Sequence, residues 1–167
     1  MDLDNISISK FQKMSLPGAI YYKDKLIITD HLEAVEQFKF ACRIDAITIL
    51  ICLDGEINCR INLKEYKIKA NEIFISFPEN IIQIESVSNL SAYAMLISSD
   101  YLKELQIEFK QKLNSYLTLK ERPLTEVPFN ELVCLKYYYY LIKENLGKVL
   151  SESENIVRGL LLSFVYQ

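Results

Sequence analysis

Through the first hundred residues apolar positions recur in short runs, each closed by residues that favour turns. AIYY and KLIIT flank Lys23-Asp24, and AITILICL, EINCRINL, EYKIK, EIFISF, IIQIES and SAYAMLIS follow. Runs of this length and spacing predict the strands of a sandwich or small barrel. EINCRINL is the plainest, with Ile57, Cys59, Ile61 and Leu63 on one face and Glu56, Asn58, Arg60 and Asn62 on the other. Such alternation predicts one buried face and one that is wet or functional. Asp54-Gly55 predicts a two-residue hairpin turn, which would make Cys52 and Cys59 diagonal neighbours rather than a bonded pair.

After Asp100 the apolar period becomes helical, so residues 1–99 are expected to form the β unit and 100–167 a helical annex of the same structural unit. Ser99 or Asp100 can cap YLKELQIEFKQKLNSYL, where Leu102, Leu105, Phe109 and Leu113 recur at three- and four-residue intervals. Leu119 to Pro128 holds two prolines and reads as a connector. FNELVCLKYYYYLIKENLGK predicts a second helix ending near Gly147, and Ser151 or Ser153 opens a third, ENIVRGLLLSFVYQ. The apolar pattern of that last helix runs up to Gln167 with neither a glycine cap nor a basic final turn, which reads as a chain cut within a helix. The run Tyr137 to Tyr140 covers more than one helical turn, so at most two of its rings can face one partner. Together the two helices carry more apolar surface than one small barrel would cover. A homodimer contact is therefore expected through Leu135, Tyr139, Ile142, Leu146, Leu160 and Phe164.

Composition narrows the chemistry. A chain of 167 residues can bury roughly 70% of its unfolded surface as one domain, and no apolar stretch approaches the roughly 18 residues that span a bilayer. The start, MDLDNISISKFQKM, lacks the features of a secretory signal, so a cytoplasmic location is expected and no membrane partner. A formal charge of −3 and a pI near 5.3 argue against direct contact with DNA, which needs clustered Lys and Arg. Cys42, Cys52, Cys59 and Cys134 show no metal-finger spacing and read as small buried apolar residues. His31 is the one histidine, so neither a metal site nor a base for a Ser or Cys nucleophile is expected. The acid pairs Asp54 with Glu56 and Glu79 with Glu85 fall near turns, where carboxylates are solvated. No enzyme activity and no cofactor follow from this sequence. A ligand cavity inside the barrel remains, with Arg43, Asp45, Asn58, Arg60, Gln83 and Tyr93 as its candidate polar groups.

The segment LICLDGEINCRINLKEYKIKANEIFISFPENIIQIES resembles the cupin-type sensor domain at the N-terminus of AraC-type transcriptional regulators, in particular variants found in Bacteroidetes. The matching marks are Gly55, the tract Ile68-Lys69-Ala70-Asn71-Glu72 and the loop Pro78-Glu79-Asn80, and the likeness covers Phe40 to Asp100 best. It implies a cupin-like jelly-roll barrel with two to three C-terminal helices, a homodimer, and a small-molecule effector, habitually a sugar in this family. DNA would be bound only by a helix-turn-helix domain that is absent from this chain. Metal cupins place a histidine four or five residues beyond the proline, and a His-x-His pair with a Glu upstream of the glycine. Here Ile82 and Gln83 stand at the first place, and the second offers only Cys42, Arg43, Ile44, Asp45 and Thr48. The resemblance therefore implies a receptor or scaffold without metal. A stand-alone binding protein or scaffold is the alternative, and a cupin enzyme a more distant one.

Overall fold

Two long strands carry the architecture. In the computed structural model, which describes residues 3–32, 38–106, 113–148 and 152–167, β5 (Ile47–Ile61) and β8 (Ile81–Ile97) pair antiparallel from Ile47 opposite Ile97 to Ile61 opposite Ile82. Each serves two partners along its other edge. β5 pairs at its start with β7 (Glu72–Ser76) and at its end with β6 (Lys64–Lys69). β8 pairs at its start with β4 (Cys42–Ile44) and at its end with β3 (Leu26–Thr29). The strands β1 (Asp4–Ile6), β2 (Ile20–Tyr22) and β9 (Leu124–Glu126) extend the edges beside β4, β3 and β7. With α2 (Ser99–Glu104), α3 (Leu113–Glu121), α4 (Phe129–Leu146) and α5 (Ser153–Tyr166) after the sheet, the fold is mainly β with C-terminal helices.

The ribbon of β5 and β8 bends because its register shifts at Cys52/Asp54, Asp54/Glu56 and Asn58/Cys59. Asp54-Gly55 is thus a bulge within β5 rather than the expected turn. The hairpin turn lies instead at Asn62-Leu63, both at positive φ, between β5 and β6. Leu63, expected on the buried face, is therefore 90% exposed at a loop tip. Asn62 compensates with side-chain bonds to Asn80 and to the Ile81 amide, tying the tip to the loop before β8.

Strand alternation divides the sheet into two apolar faces. Leu50, Ile57, Cys59, Ile68 and Phe74 point into the curl, while Leu26, Ile28, Ile49, Ile51, Met95 and Ile97 point outward under the helices. The outward face needs a cover, and α4 and α5 supply it with Leu132, Leu135, Tyr139, Ile142, Val157, Leu161 and Phe164. Four positions expected at a dimer contact, Leu135, Tyr139, Ile142 and Phe164, are consequently buried inside the protomer. Leu146 and Leu160 are half-buried against the same core. The expectation took the sheet to have one apolar face; it has two.

Other boundaries shift for local reasons. Ser98, not Ser99 or Asp100, caps α2 by accepting from the Tyr101 amide. α2 stops at Glu104, with Gln106 at positive φ, so the expected single helix through Phe109 is not continuous there; Phe109 itself lies outside the described residues. The proline connector contributes β9. α5 begins after Glu152 without a side-chain cap, and Ser151 lies outside the described residues. The N-terminal segment, left unassigned by its pattern, forms α1 (Ile8–Met14), capped by Ser7 and burying Ile8 and Phe11. Among the described residues no helix is long and apolar enough to cross a membrane.

Candidate ligand cavity

The curl of the sheet encloses a cavity of about 90 Å³, several times the space one water requires. Its wall draws on β3, β4, β5, β6, β7 and β8 together, with Phe11 of α1 and Phe38 closing part of it. Because residues from six strands face one space, the sheet is wrapped as a barrel. Ile57, Ile68, Phe74, Ile82 and Leu96 make most of the wall apolar, and among the described residues no carboxylate, lysine or arginine lines it.

The polar side chains on the wall are Thr29, His31 and Thr48, with the thiol of Cys59. The Thr29 hydroxyl accepts from the His31 amide at 3.0 Å and lies 3.2 Å from the His31 carbonyl, so it is satisfied within its own turn. Thr48 differs: its hydroxyl is buried and has no hydrogen-bond partner among the described residues. Burial, with a smaller effect of the Glu85 charge, pushes the Cys59 thiol up to about 11; burial also raises Cys52 to about 11. Neither is a thiolate near neutral pH, which disfavours both as nucleophiles. Cys42 is buried too, whereas Cys134, expected inside, is exposed on α4.

At the rim, the His31 ring packs over Gly18, where an added Cβ would stand 2.1 Å from the ring. Its Nε2 lies 3.7 Å from Asp30 Oδ1, an ion-pair distance too long for a hydrogen bond. Asp30 Oδ2 accepts from Lys143 Nζ of α4 at 2.7 Å, both side chains being mostly buried. Burial of Asp30 opposes its ionisation, but the hydrogen bond and charge of Lys143 outweigh that and hold the carboxyl below its ordinary value of 3.8. A contiguous polar link therefore runs from the cavity rim to α4.

That link carries a pH signature. Since the folded Asp30 binds its proton less tightly than the unfolded chain does, its stabilisation is complete above the ordinary carboxyl value and fades as pH falls through the folded value. Lys143→Met should cost about 1–3 kcal/mol near neutrality, and its deficit against the parent chain should shrink below about pH 4. Urea unfolding of both proteins from pH 7 to pH 3 measures this. A deficit unchanged down to pH 3 would assign the Lys143 contribution to packing instead.

The six polar residues expected in a pocket lie elsewhere. Arg43 and Asp45 are exposed. Asn58 donates to Ser86 at 2.8 Å, and Arg60 pairs with Glu65 at 3.0 Å and Glu85 at 2.9 Å, all on the outer surface. Gln83 donates to the Lys39 carbonyl at 3.0 Å. Tyr93 lies on the outward face of β8, stacked on Tyr139 at 4.1 Å with 4° between the rings, and shares a 2.9 Å hydrogen bond with Tyr140. None of the six lines the cavity. The alternation expected in EINCRINL holds as far as Ile61, but its wet face is the outside of the barrel and its apolar face is the wall. The signal that marks the cavity was the lone Thr48 in the run AITILICL. At the place where metal cupins keep a histidine, Ile82 faces the cavity and Gln83 faces away. Among the described residues no three His, Cys, Asp or Glu side chains come together as a metal site would need.

No family model matches this chain, and no curated protein matches it by sequence. Solved structures are similar at low identity. An apo form of ToxT from Vibrio cholerae is 16% identical with a TM-score of 0.43, over 73% of this chain and 46% of ToxT. The AraC-like transcriptional activator CuxR is 12% identical with a TM-score of 0.42, over 85% of this chain and 48% of CuxR. A cupin protein from Bacteroides fragilis is 14% identical with a TM-score of 0.34, over 53% of this chain and 72% of its own. The chain thus matches less than half the length of ToxT and of CuxR.

Proposed function

We propose that this chain is the effector-binding regulatory region of an AraC-type transcription regulator, acting in the cytoplasm and without catalytic activity of its own. The observation that carries this reading is the cavity: an apolar chamber inside the barrel, walled by non-reactive side chains and backed by two helices on the outer face of the same sheet. Such a chamber suits binding and release of a small molecule. Thr48, Leu50 and Leu96 face the cavity, while their neighbours Ile49, Ile51, Met95 and Ile97 support α4 and α5. An effector that fits two arrangements of barrel and helices unequally shifts their balance, and about 1–3 kcal/mol of difference yields a five- to 150-fold change in affinity at a second site.

In this reading the partner is a second copy of the chain. The helix positions free to meet it are Phe129, Tyr137 and Leu141, exposed on α4, rather than those already buried. The test is to read the coding gene beyond the codon for Gln167 and measure binding of its full product to its own promoter DNA. A downstream region of about 100 basic residues with two helix-turn-helix units is expected, together with sedimentation as a dimer that Leu141→Glu dissociates. A stop codon at that point would overturn the regulator and leave a binding protein or scaffold.

A further inference from the structure

We propose that the barrel takes up an uncharged, largely apolar molecule bearing one hydrogen-bonding oxygen, such as a ketone or an alcohol, and that the Thr48 hydroxyl is the group that recognises that oxygen. This deepens the effector-binding reading and rests on it.

The argument begins with an unmet need. Thr48 sits in β5 between Ile47 and Ile49, opposite Ser76 on β7 and Leu96 on β8. Its side chain is directed into the barrel among the wall residues, and the residue is only 9% exposed. The hydroxyl has no hydrogen-bond partner, whereas the other buried polar residues of this region are matched: Ser76 Oγ accepts from Asn80, Asn80 Oδ1 accepts from Asn62, and Thr29 is bonded within its own turn. A buried hydroxyl without a partner is costly to a fold, and valine would fill nearly the same space at that position without the penalty. The hydroxyl becomes favourable once a ligand atom meets it.

The rest of the wall decides what kind of atom that is. With no lysine or arginine on the lining among the described residues, a carboxylate or phosphate brought to Thr48 would be left buried without a counter-charge. His31 lies out at the rim beside the Asp30 carboxylate. A sugar fails for the complementary reason: its several hydroxyls would lose water and find only Thr48 within the chamber and the His31 ring at its rim. A neutral molecule with one polar atom satisfies both conditions. By proportion with the ~150 Å³ apolar cavity that accommodates the six non-hydrogen atoms of benzene, about 90 Å³ holds roughly four. A larger molecule, a five-membered ring included, would extend its remainder toward the His31 rim.

Cyclopentanone and cyclopentane form a matched pair of probes, alike in shape and differing in one oxygen. Each is titrated into the chain while the isoleucine methyl resonances are followed by NMR, since Ile27, Ile57, Ile68 and Ile82 report from the wall and Ile142 from beneath α4. Both probes are expected to move the wall methyls. Thr48→Val should weaken cyclopentanone about five- to tenfold and leave cyclopentane unchanged or tighter, and Thr48→Ser should keep the preference for the ketone. Thr48→Ala replaces the valine variant if that one does not fold. If both probes bind and Thr48→Val affects them equally, the role of Thr48 is overturned while the cavity stands. If neither moves the wall methyls, the cavity is not a binding site, and the effector-binding reading falls along with this inference.

Discussion

Replacing Gly55 with alanine should lower the unfolding free energy by about 2–4 kcal/mol, a cost out of proportion to one methyl group. Gly55 adopts φ +75, a region that costs an L-residue roughly 1–2 kcal/mol. The added Cβ would also stand 2.3 Å from the Asn89 carbonyl oxygen and 2.4 Å from that of Ser88. Those are backbone atoms of the paired strand, so relief requires β8 to move away where Asp54 meets Ser91 and Glu56 meets Ser88. The same bulge bends the β5–β8 ribbon around the cavity, so the variant should also weaken binding of any molecule that occupies it. Gly159 provides the control: it lies exposed in α5 with nothing within 4 Å of an added Cβ, and Gly159→Ala should stabilise the chain by up to about 1 kcal/mol. Urea midpoints of the two variants should move in opposite directions. Equal midpoints would mean that the bulge is not held by the close approach of β8.

That bulge also shows where the sequence stops being legible. Alternation in EINCRINL and EIFISF is local; it marked both as strands, and in the first it assigned the faces correctly as far as Ile61. Asp-Gly is as good a signal for a hairpin turn as for a bulge, and only the pairing of β5 with β8, in which Asp54 meets Ser91 nearly forty residues away, decides between them. Asn62-Leu63 was missed as a turn because leucine is a poor candidate for positive φ, and its place there depends on Asn62 being bonded to the loop before β8. The same limit governs the site. Sequence alternation separates wet from dry faces but does not say that a dry face encloses a space. Arg60 and Asn58 therefore looked like pocket residues and are surface partners of Glu65 and Ser86, whereas Thr48 carried its information only as one hydroxyl in an otherwise apolar run. α4 and α5 were placed well by their period, whereas the helix expected from Tyr101 breaks after Glu104; which apolar residues of α4 and α5 meet the sheet depended on its outer face being apolar too.

Tyr139 is where that outer face and α4 lock together, and its variants should separate packing from polarity. The ring is almost completely buried, stacks on Tyr93 and stands edge-on to Tyr140. Tyr139→Ala should cost about 3–5 kcal/mol, the range for an aromatic removed from a core that cannot collapse onto the gap. About 0.5–1.5 kcal/mol of that reflects the ring pair beyond simple burial. Its hydroxyl is a different matter: it is buried without a partner, and burial first, then the Asp30 charge, push its ionisation well above the ordinary tyrosine value. Tyr139→Phe removes an unmet polar group while keeping the ring, so its unfolding free energy should equal the parent's or exceed it by about 1 kcal/mol. The phenylalanine variant should also lose less stability above about pH 10, where the unfolded chain gains protons less readily than the folded tyrosine holds its own. Urea unfolding at pH 7 and pH 10.5 measures both effects. A loss of more than 1 kcal/mol for Tyr139→Phe at pH 7 would mean that the hydroxyl is bonded in solution, with Asp30 Oδ1, whose charge acts on Tyr139 and which also lacks a hydrogen bond among the described residues, as the acceptor to test. Asp30 is joined to Lys143 one turn further along α4, so such a bond would make the contact between the cavity rim and the helix a polar one. If the hydroxyl is unbonded, stacking on Tyr93 holds this part of α4 to the sheet, and a ligand inside the barrel would act on the helix through the alternating side chains of β5 and β8.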